Sequence, residues 1–196
     1  MFLQIIQGKA ADPGLLMAQG EVWNAELRPG ATGYLGSTNG ITDDGTAVTI
    51  VRFESAEAAR ANSARPEQSR WWASTEPGYA GDVVFHDCEQ VDTMMGGGSD
   101  DAGFVQVMHG RAVDPAKLRE VGKAMESSLQ QMRPDVLGGV VGWHGDRRFT
   151  QVMYFRSEAE ARASEASASA SPEMADWGQM MDGPVEFLDL RRPMFS

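Results

Sequence analysis

The 196-residue chain contains a single cysteine, Cys88, so it cannot form an intrachain disulfide. This scarcity is typical of a protein from a reducing compartment. No stretch approaches the ~20 apolar residues that a membrane-spanning helix needs. The apolar residues 1–6 are too few for the core of a signal peptide, and no basic segment precedes them. We therefore expect a cytoplasmic protein without a membrane partner.

Basic residues are also scarce. The chain has 17 Lys and Arg residues but 28 Asp and Glu residues, which gives a net charge of −11. Nucleic acids and anionic membranes attract basic surfaces, so neither is expected as a partner. The hydrophobic fraction of 42% and the charged fraction of 23% are ordinary for a globular protein. A chain of this length buries roughly 70% of its surface on folding, which needs neither disulfides nor metals.

The sequence repeats itself at a shift of 102 residues. The matches include the residues Phe2, Gln4, Gly8, Ala10, Asp12, Pro13 and Leu16, which recur as Phe104, Gln106, Gly110, Ala112, Asp114, Pro115 and Leu118. Between the two copies, residues 94–102 contain three glycines, a serine and two aspartates, a composition typical of a flexible linker. We therefore predict two repeats, residues 1–93 and 103–196, joined by a linker over residues 94–102.

Each repeat predicts the same order of elements, βαββαβ, which is the ferredoxin-like unit of an α+β protein. Asp-Pro pairs mark the start of the first helix, since Asp caps a helix and Pro suits its first position. A serine marks the start of the second helix. The predicted strands are residues 2–8, 32–41, 47–53 and 83–91 in the first repeat, and residues 104–110, 136–144, 149–155 and 185–190 in the second.

Both faces of the predicted sheets are apolar, because alternate residues of either parity are hydrophobic. Leu3 and Ile5 represent one face of the first strand, and Phe2 and Ile6 the other. Helices can cover only one face, so the second face must pack on another sheet. We therefore expect the two repeats to pack sheet to sheet as a pseudo-dimeric α+β barrel within a monomeric chain.

Two segments carry a family resemblance. Residues 29–36 read Pro-Gly-Ala-Thr-Gly-Tyr-Leu-Gly, and residues 50–59 end a strand with Phe-Glu-Ser-Ala-Glu-Ala-Ala. They resemble the antibiotic-biosynthesis-monooxygenase-like proteins of the dimeric α+β barrel superfamily, as do the Pro-Glu turns at Pro66 and Pro172. The resemblance implies the fold of such a dimer, fused here into one chain as a tandem duplication. Members of the superfamily include cofactor-independent oxygenases of polyphenols, haem-degrading enzymes, isomerases and proteins without an assigned activity.

The resemblance does not extend to haem binding. The haem-degrading members place a Trp and a His on or near the second helix, whereas this chain has no histidine before His86 or after His144. The sequence also has no glycine-rich nucleotide loop and no serine nucleophile elbow. We therefore expect no cofactor.

The few histidines and Cys88 offer one conceivable metal cluster, His86–Cys88–His109, because His86 and Cys88 share a strand face. The alternative is that each histidine packs at a sheet rim, which fits the absence of any repeated histidine. We favour the alternative and expect no metal site. Cys88 itself is interpreted as a small core residue rather than a nucleophile, since no base points at its sulfur.

Polar residues inside apolar strands give the candidate site. Gln4, Thr49, Gln106 and Gln151 fall on the parity of the helix-facing phenylalanines, and the resembled oxygenases bind substrate on that side of the sheet. Trp71, Trp72 and Trp177 could wall such a pocket, and Trp143 is an extra aromatic residue of the second repeat. The alternative is that the glutamines bond local groups and the indoles belong to the core. The second repeat has the amide of Gln151 at the position of Thr49 in the first repeat, and it has an additional aromatic ring, Trp143. We therefore favour a pocket in the second repeat.

Two functions remain open from the sequence. The first is a cofactor-independent oxygenase, or a related isomerase, acting on a small aromatic or polyketide-like compound, as the resemblance implies. The second is a non-catalytic protein that binds a hydrophobic small molecule or has only a structural role, which the lack of an acid–base pair favours. No catalytic residue is assigned from the sequence.

Overall fold

The computed structural model describes residues 1–168 and 177–196. The chain forms two compact units, Met1–Glu89 with Met194–Ser196 and Gln90–Pro193. Each unit contains one five-stranded antiparallel sheet. Within the described ranges, no helix is long and apolar enough to span a membrane. The predicted turn at Pro172-Glu173 lies outside the described residues.

The first unit contains strands β1 to β4 and helices α1 to α3. Their bounds are β1 Phe2–Ala10, α1 Pro13–Val22, β2 Tyr34–Ile41, β3 Thr46–Phe53, α2 Ala56–Ser63, α3 Pro66–Thr75 and β4 Tyr79–Cys88. A π-helical turn, Trp23–Leu27, and a short 3₁₀ turn follow α1. The last strand of the chain, β10 (Met194–Phe195), pairs with β2, which makes the strand order β10-β2-β3-β1-β4.

The second unit repeats this pattern. Its elements are β5 Gln90–Met94, β6 Phe104–Arg111, α4 Pro115–Met132, β7 Val136–His144, β8 Arg148–Phe155, α5 Glu158–Ala168 and β9 Glu186–Leu190. The strand order is β5-β7-β8-β6-β9. The ferredoxin-like α+β fold predicted for each repeat is therefore confirmed.

The predicted helix starts are also confirmed. Asp12 Oδ1 accepts a hydrogen bond from the Leu15 amide at 3.0 Å, and Asp114 Oδ1 accepts one from the Lys117 amide at 3.1 Å. In both cases proline occupies the first turn of the helix. The two helices therefore begin with the same cap, as the repeated Asp-Pro pairs indicate.

One predicted strand is wrong. Residues 83–91 were expected to form one strand, but β4 ends at Cys88 and Gln90 begins β5. The two strands join different sheets, because β4 pairs with β1 whereas Val91 in β5 pairs with Gly142 in β7. Residues 83–91 contain no glycine or proline, so the sequence does not show where the chain leaves one sheet for another.

The helix-facing side of each sheet has an equivalent core. Phe2 and Phe53 pack with Ala59 of α2 in the first unit, and Phe104 and Phe155 pack with Ala161 of α5 in the second. Residues of the opposite parity are fully buried as well, including Leu3, Ile5, Ile50, Val105, Val107 and Val152. The burial of both parities agrees with the apolar pattern; sheet-to-sheet packing of the repeats stays a prediction.

Candidate functional site

A cavity of about 200 Å³ lies in the first unit. Two adjacent cross-strand rows of the sheet form its floor. In the first row, Thr49 lies between Asn39 and Ile6. In the second row, Val51 lies between Ser37 and Gln4. The floor residues are Gln4, Ile6, Ser37, Asn39, Thr49 and Val51. The floor therefore combines two apolar side chains with four neutral hydrogen-bonding groups.

Helix α3 supplies one wall of the cavity. Pro66 begins this helix, since a proline cannot continue α2 but suits a first turn. The lining residues on α3 are Gln68, Trp71, Trp72 and Thr75. Their spacing of three, four and seven residues places them on one helix face. This spacing is the sequence signal that could have added Gln68 and Thr75 to the two tryptophans of this wall.

The π-helical turn after α1 supplies a second wall. It contributes Trp23 and Asn24 to the lining. The indole Nε1 of Trp23 donates to Gln68 Oε1 at 2.9 Å, and that of Trp71 donates to the Gln19 carbonyl at 2.8 Å. The two indole N–H groups are thus satisfied within the protein. The rings add apolar surface, a suitable wall for a planar ligand.

A chain of hydrogen bonds runs along β2 at one side of the cavity. Asn39 Nδ2 donates to Ser37 Oγ at 2.9 Å, and Ser37 Oγ lies 2.7 Å from Ser196 Oγ. Ser196 Oγ lies in turn 2.6 Å from the Tyr34 hydroxyl. All four residues line the cavity. Sequence reasoning missed them, because nothing in the local pattern shows that residue 196 returns to β2.

Two further polar residues lie at the helix side of the cavity. Asn62 is buried, and its Oδ1 accepts a hydrogen bond from Arg65 Nη1 at 2.9 Å. Tyr79 begins β4, and burial raises the pKa of its phenol. Tyr79 therefore stays protonated at neutral pH and can donate a hydrogen bond. Sequence reasoning missed both residues.

Of the seven candidate residues, the structure brings Gln4, Thr49 and Trp71 together around this cavity. Gln4 Nε2 donates to Asp87 Oδ1 at 2.8 Å. Among the described residues of the first unit, none forms a hydrogen bond with the Thr49 hydroxyl. This hydroxyl is therefore available to a ligand. Gln4 and Thr49 therefore lie on the helix-facing side of the sheet, as their strand parity predicts. Trp71 lies in the wall of the same cavity.

The other four candidates lie in the second unit. Gln106 is buried and donates to Asp189 Oδ1 at 3.1 Å. Trp143 is buried too, and its Nε1 donates to Asp92 Oδ2 at 2.8 Å. Gln151 pairs in register with Met108 and Val141, and Trp177 is half-buried at the start of a short helical turn. Whether these residues bind a ligand stays a prediction.

The space beside the second sheet differs from that of the first. The register makes Gly139 the counterpart of Ser37, since they pair with Met153 and Val51 respectively. A Cβ atom at Gly139 would lie 2.7 Å from Met153 Sδ and 2.9 Å from Met94 Cε. Methionine side chains therefore occupy the volume where Ser37 lines the cavity in the first unit.

The conceivable metal cluster finds no support in the structure. His109 Nδ1 lies 2.8 Å from Thr150 Oγ1, and His144 Nε2 lies 3.0 Å from the same hydroxyl. Within residues 1–168 and 177–196, no three His, Cys, Asp or Glu side chains converge in a way that could hold a metal ion. Cys88 is buried, and this burial, with the nearby Asp87 charge, raises the pKa of its thiol to about 12. The thiol is therefore a core group rather than a nucleophile.

The whole fold is similar to solved structures. A candidate monooxygenase from Lactobacillus acidophilus NCFM matches with a TM-score of 0.73 at 13% identity, covering 100% of this chain and 98% of that one. A candidate monooxygenase from Fusobacterium nucleatum matches with a TM-score of 0.72 at 10% identity, covering 96% of this chain and 90% of that one. An anthrone oxidase-like protein matches with a TM-score of 0.64 at 13% identity, covering 100% of this chain and 92% of that one. No protein-family model and no curated protein sequence matches the chain. At these identities the similarity establishes a shared fold.

Proposed function

We propose that the chain is a cofactor-independent oxygenase of a small aromatic compound, which it binds in the cavity of the first unit. The observation that carries the proposal is the cavity itself, with tryptophans in its walls and neutral hydrogen-bonding groups in its floor. Such a lining suits a planar ring that bears hydroxyl or carbonyl groups. The names of the structural neighbours support the same chemistry.

The size of the cavity restricts the ligand. Its volume of about 200 Å³ lies below the roughly 300–1,000 Å³ of pockets for drug-sized molecules. A compound of two or three fused rings fits such a space, with part of it at the opening. Trp23 and Trp71 supply apolar faces, while Ser37, Asn39 and Thr49 supply partners for oxygen substituents.

An electron-rich substrate can supply the electrons for the reaction. When a methylene group beside a carbonyl loses a proton to solvent water, the resulting enolate can reduce O₂. One oxygen atom then enters the product as a ketone, the other leaves as water, and the methylene is oxidised. The protein would stabilise the enolate oxygen with preorganised donors. The protonated phenol of Tyr79 and the buried amide of Asn62 are the donors we propose.

A second candidate function is binding without turnover. It is favoured by the lack of an evident general base, since no histidine or lysine lines the cavity in the part of the chain that the structure describes. Glu21 has the one side-chain carboxylate in the described lining, and it is exposed. A protein with such a site could carry or sequester an aromatic compound.

Oxygen uptake with anthrone tests the proposal and separates the two candidates. Anthrone has an activated methylene, and its class appears in the name of one structural neighbour. With chelator-treated protein in an oxygen electrode, we expect uptake above the rate without protein. Thr49→Phe should abolish this increase by filling the cavity, whereas Gln151→Phe, at the equivalent position of the second repeat, should keep it. Binding of anthrone without faster uptake would favour the carrier, and the absence of both would overturn the two candidates.

A further inference from the structure

The described residues that line the cavity provide side-chain charge of one sign only. Glu21 has the only charged side chain among the described residues that line it, and no lysine, arginine or histidine contributes to this lining. The remaining polar lining groups are neutral amides, hydroxyls, phenols and indoles. Within residues 1–168 and 177–196, the cavity lining thus provides no cationic side chain that could partner a negatively charged ligand.

Two arginines contact lining residues without lining the cavity themselves. Arg65 donates from Nη1 to Asn62 Oδ1 at 2.9 Å and from Nε to Glu67 Oε1 at 2.9 Å. Arg28 lies over the ring of Tyr34, with its Cζ 5.9 Å from the ring centroid. Arg65 is held by these hydrogen bonds, and neither guanidinium group belongs to the cavity lining.

We propose that this cavity selects its ligand by charge: it accepts neutral and cationic aromatic compounds and rejects anionic ones such as aromatic carboxylates. This inference rests on the proposed function, because it takes an aromatic ligand in the cavity as its starting point. It adds a property that decides which compounds are substrates. An oxygenated aromatic acid would enter only as its ester, its lactone or its amide.

Three physical effects act in the same direction. A carboxylate loses its hydration on entering a partly buried site, and here no cation replaces the water. The Glu21 carboxylate repels a second negative charge, and the net charge of −11 opposes the approach of anions. A cation, by contrast, is attracted both by Glu21 and by the faces of the tryptophan and tyrosine rings.

Three probes of one shape and different charge test the inference on the intact chain. They are 1-naphthalenemethanol, 1-naphthylmethylamine and 1-naphthoate, which are neutral, cationic and anionic at pH 7. We expect isothermal titration calorimetry at low salt to show the carboxylate binding at least ~10-fold more weakly than the alcohol. The amine should bind at least as tightly as the alcohol.

A matched pair of variants tests the role of the rim carboxylate. Glu21→Lys should strengthen binding of the carboxylate at least ~3-fold and weaken binding of the amine. Glu26→Lys makes the same change in total charge at an exposed residue of the π-helical turn that does not line the cavity. It should leave the order of the three probes unchanged.

The outcomes separate this inference from the function on which it rests. Binding of the carboxylate within 3-fold of the alcohol would overturn charge selection and leave the proposed site intact. Rejection of the amine as strong as that of the carboxylate would also overturn it, because the cavity would then exclude charge of either sign. Equal effects of Glu21→Lys and Glu26→Lys would contradict the role of Glu21. If none of the probes binds, the proposed aromatic site itself is wrong.

Discussion

The side-chain amide of Gln4 donates a hydrogen bond to Asp87 Oδ1 at 2.8 Å, across strands β1 and β4. The second unit contains the same contact, from Gln106 to Asp189 at 3.1 Å. The surroundings differ, because Gln4 lines the cavity, whereas Gln106 is buried and Asp189 also binds Arg162. This Gln–Asp contact therefore stabilises the packing of both repeats. In the first repeat its glutamine also lines the cavity.

Replacing the two glutamines should separate these roles. Gln106→Leu should lower the free energy of unfolding by about 1–2 kcal/mol, since the partly buried carboxylate of Asp189 loses one donor. Gln4→Leu should change stability less, because its contact with Asp87 is exposed, but should weaken binding of 1-naphthalenemethanol. Urea unfolding and calorimetric titration measure the two effects. Loss of binding in Gln106→Leu with unchanged stability would instead favour the second-repeat pocket predicted from the sequence.

Local chemistry made the fold predictable. The Asp-Pro pairs at residues 12 and 114 define helix starts through hydrogen bonds made within three residues, so the sequence around them is sufficient. The helix-facing positions of Gln4 and Thr49 followed from strand parity, which is also a local property. Such features depend on neighbours in the chain and can be deduced from it.

Long-range pairing could not be predicted in the same way. Ser196 reaches the cavity because β10 pairs with β2, more than 150 residues earlier in the chain, and two strand residues carry no signal for that pairing. The preference for the second repeat relied on Trp143 and Gln151. Trp143 bonds Asp92, whose strand β5 was assigned to the first repeat. Its role therefore depends on a strand boundary that the sequence of residues 83–91 does not reveal.

Asp135 should make stability depend on acid pH. Burial would raise the pKa of this carboxyl, but hydrogen bonds from Arg133 and Ser164 outweigh it and lower the pKa below its usual value. A lowered pKa stabilises the fold above the unfolded value near ~4, and the effect is lost as the pH falls through the folded value. Asp135→Asn should therefore cost roughly 3 kcal/mol at pH 7 and much less at pH 3.

The control for this prediction is Asp146→Asn. Asp146 also bonds an arginine, Arg111, at 2.5 Å, but its side chain is 76% exposed, so the pair is screened by solvent. Its replacement should change stability little at either pH. Urea unfolding of both variants at pH 7 and pH 3 provides the measurement. A loss in Asp135→Asn that is equal at the two pH values would show that the carboxylate charge plays no part.

Cys88 should be inert in the native protein. Its side chain is fully buried, and the pKa of about 12 leaves very little thiolate at pH 8. Alkylation by iodoacetamide at pH 8 should therefore be at least ~100-fold slower in buffer than in concentrated urea. Mass spectrometry of samples taken over time gives both rates. Similar rates in the two solvents would contradict the core position of this thiol.

The central claim, that the first unit binds an aromatic ligand in its cavity, is tested most directly by titrating 1-naphthalenemethanol into three proteins in a calorimeter. The wild-type chain and Gln151→Phe should bind it with similar affinity, while Thr49→Phe should show no measurable binding, provided that all three unfold cooperatively in urea. Binding that survives in Thr49→Phe and disappears in Gln151→Phe would contradict the claim and assign the site to the second unit.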